Sequence, residues 1–284
     1  MDKKELERYA FPVPKLELND MQAGLESFDF IKKFLSKTLL TIDNIKNNLH
    51  IFNTLYRGEN INELKELLSV KNSLNKVIEN YDYVDIKNKE VNGIAGLISL
   101  PLAAEKLPIL LDHVNENTLK VLTNTVLLLD KFISDVDYRK SFMHTNDALG
   151  SKVWRKNINI EDELTSFIDL NLVTDQVKIG EVIPNLYSLK QIHENLVTAG
   201  KKTKIYELKK IEDTIELIVE RVKIIEDMMN NVDDNFTKQA ISSVGDSLTD
   251  LGNMVRYHSL VYYVTAEVSK VAINIIKTLE KIKQ

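Results

Sequence analysis

Apolar residues recur along most of this chain at alternating steps of three and four, the period of a helix that buries one face. Asn19 or Asp20 can cap a first long helix, and Met21, Leu25, Phe28, Leu35, Leu39, Ile42, Ile45, Leu49, Phe52 and Tyr56 draw its stripe up to a stop at Gly58. Asn60 and Glu63 then have the spacing of a capping box. They open a second helix with Leu64, Leu67, Leu68, Leu74, Val77 and Ile78 inward, and the two helices are expected to form a hairpin. After an indistinct stretch from Tyr81 to Glu90, Asn117 can cap a further helix carrying Leu119, Leu122, Val126, Leu129, Phe132, Ile133 and Val136.

The last hundred residues are the most regular. Asn185 to Thr198 reads as a helix closed by Gly200. Leu208, Ile211, Ile215, Ile218, Val222, Ile225, Met229 and Val232 follow as a sustained heptad, the pattern of a coiled-coil seam. Asp233 or Asp234 can cap a final helix through Ile241, Val244, Leu248, Leu251, Val255, His258, Tyr262, Thr265, Val268, Ala272, Ile275 and Leu279. At a helical rise of 1.5 Å per residue it spans roughly 70 Å against about 40 Å for its predecessor. An antiparallel pair so unequal leaves an overhang for the first hairpin or another subunit to cover. Gly245 and Gly252 share a face of this helix, where each costs about 1 kcal/mol relative to Ala. A close backbone approach by another element is the expected compensation.

Two stretches break the pattern. Val91 to Leu111 is the most hydrophobic part of the chain and near a membrane span in length. Gly93, Gly96, Pro101 and Pro108 argue against one continuous helix there, and Glu105 and Lys106 interrupt the apolar run. It reads as a buried crossover between helices. Residues 139–184 are irregular, with Gly150, Trp154 and Gly180, a short helix from about Glu161 to Leu170, and Lys178 to Ile183 as a short strand or extended link. The expected class is therefore all-α: an elongated bundle of long antiparallel helices with a coiled-coil-like C-terminal hairpin. Its parts are an extended arm 1–17 held open by Pro12 and Pro14, a helical region 18–138 containing the crossover 91–111, the irregular segment 139–184, and a long hairpin 185–284.

Composition agrees with this picture. Gly (9) and Pro (5) are scarce in 284 residues, while 44% hydrophobic and 28% charged residues suit a chain with a substantial core. The net charge is -5, and the densest basic run, Lys201, Lys202, Lys204, Lys209 and Lys210, is interleaved with Glu207, Glu212 and Asp213. A solvated helix face explains that run better than nucleic-acid binding, which draws its affinity from phosphate neutralisation. With no Cys, disulfides, thiolate nucleophiles and Cys-ligated metals are excluded. The start of the sequence has no apolar signal region, so a cytoplasmic location, or one inside a virion assembled in the cytoplasm, is expected.

Candidate chemistry is thin. His50, His113, His144, His193 and His258 each lack a His or carboxylate at the spacing that sets two ligands on one helical face, so no metal is expected. No cofactor is expected either. Gly200 to Lys204 has the ending of a phosphate-binding loop, but Asn195 stands where the upstream Gly is needed and a helix, not a strand, precedes it. Asp135 and Asp137, like Asp233 and Asp234, read as helix caps. Asn235-Phe236-Thr237 is a glycosylation sequon that has no meaning without secretion. His258, on the apolar stripe beside Tyr257, Tyr262 and Tyr263, reads as a buried, hydrogen-bonded imidazole. The sharper alternative is a seam that responds to pH near neutrality.

Ala240 to Lys277, AISSVGDSLTDLGNMVRYHSLVYYVTAEVSKVAINIIK, resembles the terminal helices of virion structural proteins of large tailed bacteriophages. The resemblance implies a component of an internal head, core or connector that acts by assembly and has no active site.

The expected function is thus a non-enzymatic structural or assembly protein, packing on copies of itself or on other structural proteins. Gly245, Leu248, Gly252, Tyr257, His258 and Tyr262 are its candidate contact residues. One alternative is a membrane-active protein of the helical pore-forming kind, using Ile94, Leu97, Leu100 and Leu111. Another is a helical binding module or inhibitor working through the centre around Trp154.

Overall fold

A computed structural model describes residues 60–142, 160–203, 205–229 and 235–281 of the chain. Most of these residues are helical, as the periodicity requires, but two strands interrupt the helices. In chain order the elements are α1 (60–69), α2 (Lys71–Asn80), α3 (Tyr83–Ile86), β1 (Glu90–Leu97), α4 (Leu100–Ser134), α5 (Val136–Phe142) and α6 (Ile160–Thr165). They continue with β2 (Ile168–Lys178), α7 (Ile179–Val182), α8 (Ser188–Lys202), α9 (Ile205–Met229) and α10 (Asn235–Lys281). Residues 1–59, expected to form the N-terminal arm and the first long helix, and Trp154 lie outside the described residues.

The apolar stretch Val91–Leu111 is not a crossover. It divides at Ile98 and Ser99 into strand β1 and the first turns of α4. Ser99 caps α4 by accepting from the Leu102 amide, and Pro101 sits in the first turn, where a missing N–H costs nothing. Pro108 alone falls inside the helix. Asn117, expected to start a separate helix, lies mid-way along this 35-residue one, and its side chain donates to the His113 carbonyl at 2.9 Å. At the far end, Arg139 Nη1 donates to the carbonyls of Phe132 and Ile133 at 2.9 and 2.8 Å. Asp135 accepts from the Tyr138 amide at the start of α5, as a cap.

β1 pairs antiparallel with β2, from Glu90 opposite Lys178 to Ala95 opposite Val173. Leu97 then pairs with Ile168, so that Gly96 alone stands against residues 169–172 of β2. Gly96 has φ +87°, and a Cβ on it would lie 2.6 Å from Asp169 Cβ. Only glycine fits this step without strain. Gly93 packs directly on the Val177 side chain. The segment expected as a helix from Glu161 to Leu170 is helical only to Thr165 and then enters β2. β2 ends at Lys178, and Ile179–Val182 is a helical turn. Residues assigned to the irregular segment are therefore joined by a sheet to residues of the preceding region. Lys106 and Glu163 add an ion pair across the same boundary.

α4 is the axis of the fold. α8 and α9 run along it in the same direction, with Lys202 beside Asp112 and Arg221 bonded to Asp130 at 2.9 Å. α10 runs along it in the opposite direction, with Tyr262 at the level of Asn115 and Asn274 donating to the Asn92 carbonyl of β1 at 3.0 Å. The heptad of α9 is buried at Ile211, Ile215, Ile218, Val222 and Ile225. Among the described residues α9 packs chiefly on α4 and touches α10 at few points. α8 begins at Ser188 and continues through Gly200, which lies against Leu64. Leu67, Leu74 and Val77 of α1 and α2 enter the core as expected, whereas Leu68 faces outward.

Candidate functional site

The described part of the candidate contact stripe lies in the second half of α10. Gly245, Leu248 and Gly252 belong to the same helix, but their surroundings lie outside the described residues. His258 and Tyr262 are buried, with none of the His258 surface and 5% of Tyr262 exposed. Tyr257 is half-buried and packs on the core. The chain thus covers His258 and Tyr262 with its own elements, leaving neither as an outward contact.

A chain of hydrogen bonds joins these elements at one level. Tyr262 Oη donates to Asn115 Oδ1 at 2.6 Å, and Asn115 Nδ2 donates to the Lys202 carbonyl at the end of α8 at 2.9 Å. Asn60 Nδ2 donates to the Tyr262 carbonyl at 3.2 Å, bringing in α1. Lys202 Nζ donates to the Pro108 carbonyl at 3.2 Å and pairs with Asp112. Asn60, read from the sequence as a cap, is helical, and its amide ties α1 to α10 across 202 positions. Four helices are thereby registered by partners that are all specific in geometry.

His258 stacks on Tyr262, with ring centroids 4.8 Å apart and planes at 27°. Neither of its ring nitrogens has a hydrogen-bond partner among the described residues, so the expected bond to a tyrosine or carboxylate is not made there. Burial pushes its imidazole down from 6.5 to about 3, because the charged form would lose its hydration without gaining a counter-charge. The alternative of a seam titrating near neutrality therefore does not hold for His258. His113 is also lowered by burial, against the opposing charge of Glu116. His193 is held differently: it is buried, and its Nε2 donates to the Leu67 carbonyl at 2.7 Å.

All four residues of the membrane alternative are core residues: Ile94 and Leu97 are 3% and 7% exposed, Leu100 and Leu111 not at all. No helix of the described residues is long and apolar enough to cross a membrane. Among the described residues no group of three or more His, Asp or Glu is placed to hold a metal ion.

The exposed side of α4 and α9 is not among the expected contacts. Leu127, Leu217 and Ile224 are 63%, 40% and 45% exposed. Leu217 and Ile224 are one heptad apart and flank Arg221, whose partner Asp130 stands three residues beyond Leu127. One ion pair and three large apolar side chains thus share an outer face. Its signal in the sequence is a second apolar row on α9, offset from the heptad. Comparisons with protein-family models, with curated proteins and with solved structures return no match for this chain.

Proposed function

We propose that this chain is a non-enzymatic structural or assembly protein, an elongated helical bundle that works by packing against copies of itself or against other structural proteins. A virion component of the tailed-phage kind, which the α10 sequence resembles, is the specific form of this reading. The observation that carries it is the outer face of α4 and α9. There Leu127, Leu217 and Ile224 are exposed within one helical turn of Asp130 or Arg221, while Ile211, Ile215, Ile218, Val222 and Ile225 of the heptad are buried inside the chain. Large apolar side chains exposed on neighbouring helices and flanked by charged groups suit a helix-to-helix contact, whose centre is apolar and whose rim is polar. The contact thereby moves from His258 and Tyr262 to this face, with Gly245, Leu248 and Gly252 as a second candidate stripe. Partners are other copies or neighbouring structural proteins, and the place of action is the cytoplasm or the assembled particle.

The test is solution mass, with and without the paired substitutions Leu217→Glu and Ile224→Glu. A defined oligomer that these changes dissolve supports the reading. Gly252→Leu probes the second stripe, and unchanged fold and assembly in that variant would remove it. The membrane alternative has a physical obstacle. Exposing Ile94, Leu97, Leu100 and Leu111 to water costs roughly 6–12 kcal/mol, so lipid would have to meet them in the same step that opens the core.

A further inference from the structure

We infer that the seam between α4 and α10 encloses an ordered water molecule that bridges the His258 ring and the Thr118 hydroxyl. Both side chains are completely buried, and Nδ1 and Nε2 of His258 and Oγ1 of Thr118 all lack a protein partner among the described residues. Thr118 is unusual in this respect. Thr125, Thr198, Thr214 and Thr265 each donate to the carbonyl four residues back, at 2.6 to 2.9 Å, the ordinary refuge of a helical threonine. The Thr118 hydroxyl makes no such bond.

The two groups lie at one level of the seam. α10 runs antiparallel to α4, and Tyr262 bonds to Asn115. Residue 258 is one turn back from Tyr262, and residue 118 nearly one turn on from Asn115, so both steps lead the same way along the seam. Burial holds the imidazole neutral, with one nitrogen a donor and the other an acceptor, and a hydroxyl offers one of each. A single water can donate to one of these groups and accept from the other. A buried water of this sort joins two to four polar groups that would otherwise be unsatisfied. His258 and its water are then a polar point in an otherwise apolar seam, which fixes the register of α10 on α4.

The experiment is water-selective nuclear Overhauser spectroscopy on the full chain, with labelled His and Thr. Cross-peaks of a long-lived water are expected at both the His258 ring protons and the Thr118 methyl. Thr118→Val should abolish the His258 cross-peak and shift its ring nitrogens, while Thr118→Ser, which keeps the hydroxyl, retains it. Absence of the cross-peaks in the unsubstituted protein overturns the inference without any variant having to fold. Their persistence at His258 in a folded Thr118→Val protein overturns it as well.

Discussion

Tyr262 and Asn115, 147 positions apart in sequence, meet through a 2.6 Å hydrogen bond that sets α10 against the middle of α4. Asn115 also donates to the end of α8, so this pair is the junction of three long elements. Tyr262→Phe keeps the ring that stacks on His258 and removes only the hydroxyl. It should lower stability by about 1 kcal/mol, and Asn115→Ala by more, because that change also strands the Lys202 carbonyl. The double variant should be less damaging than the sum of the two. Strict additivity in denaturant unfolding would show that the two side chains do not act together.

Acid should unfold this protein partly through His258. Its folded-state value, about 3, lies below the unfolded 6.5, so the unfolded chain binds the extra proton in that interval. The stability it contributes is complete above pH 6.5 and is lost as pH falls toward 3, at about 1.4 kcal/mol per pH unit in mid-window. His258→Leu should have a shallower stability profile between pH 6 and 4, by about one proton. Equal slopes for the two proteins would mean that the imidazole is open to bulk water or paired with a carboxylate. Between pH 7 and 8 neither protein should change, which separates this behaviour from a neutral-pH switch.

The sheet makes its own prediction. Gly96→Ala places a methyl group at a left-handed φ and 2.6 Å from Asp169 Cβ, and should cost roughly 1–3 kcal/mol. The loss should appear in hydrogen exchange of β1 and β2 before it reaches the centre of α4. A Gly96→Ala protein as stable as the parent would place the bend between Ala95 and Leu97 elsewhere.

The inward positions of α9 and of the second half of α10 are legible in the sequence, because a long helix has one way to bury a stripe. What faces that stripe is another matter. The heptad of Ile211 to Ile225 suits any apolar groove, and among the described residues α4 supplies most of one. β1 is hidden in the sequence for a related reason. Val91, Ile94 and Leu97 do not alternate strictly, and the partner strand lies over seventy residues downstream, where periodicity carries no information. Gly93 and Gly96 signal a helix break correctly, yet only the sheet shows that they mark a close strand contact and a bulge. Asn60, Asn115 and Thr118 illustrate the remaining limit. A polar residue on an inward face can be a cap, a register pin or a water ligand, and the choice depends on an element far away in the sequence.

Assembly through the outer face of α4 and α9 is the central claim, and solution mass tests it most directly. Light scattering over a wide range of concentration and at two pH values reads this without labels. A defined oligomer is predicted at pH 7.5 and 5.5 alike, since His258 stays neutral in the folded chain at both. Leu217→Glu with Ile224→Glu should reduce it to monomer with unchanged helical circular dichroism. A monomer at every concentration in the parent protein, or an oligomer indifferent to those two substitutions, would contradict the proposal.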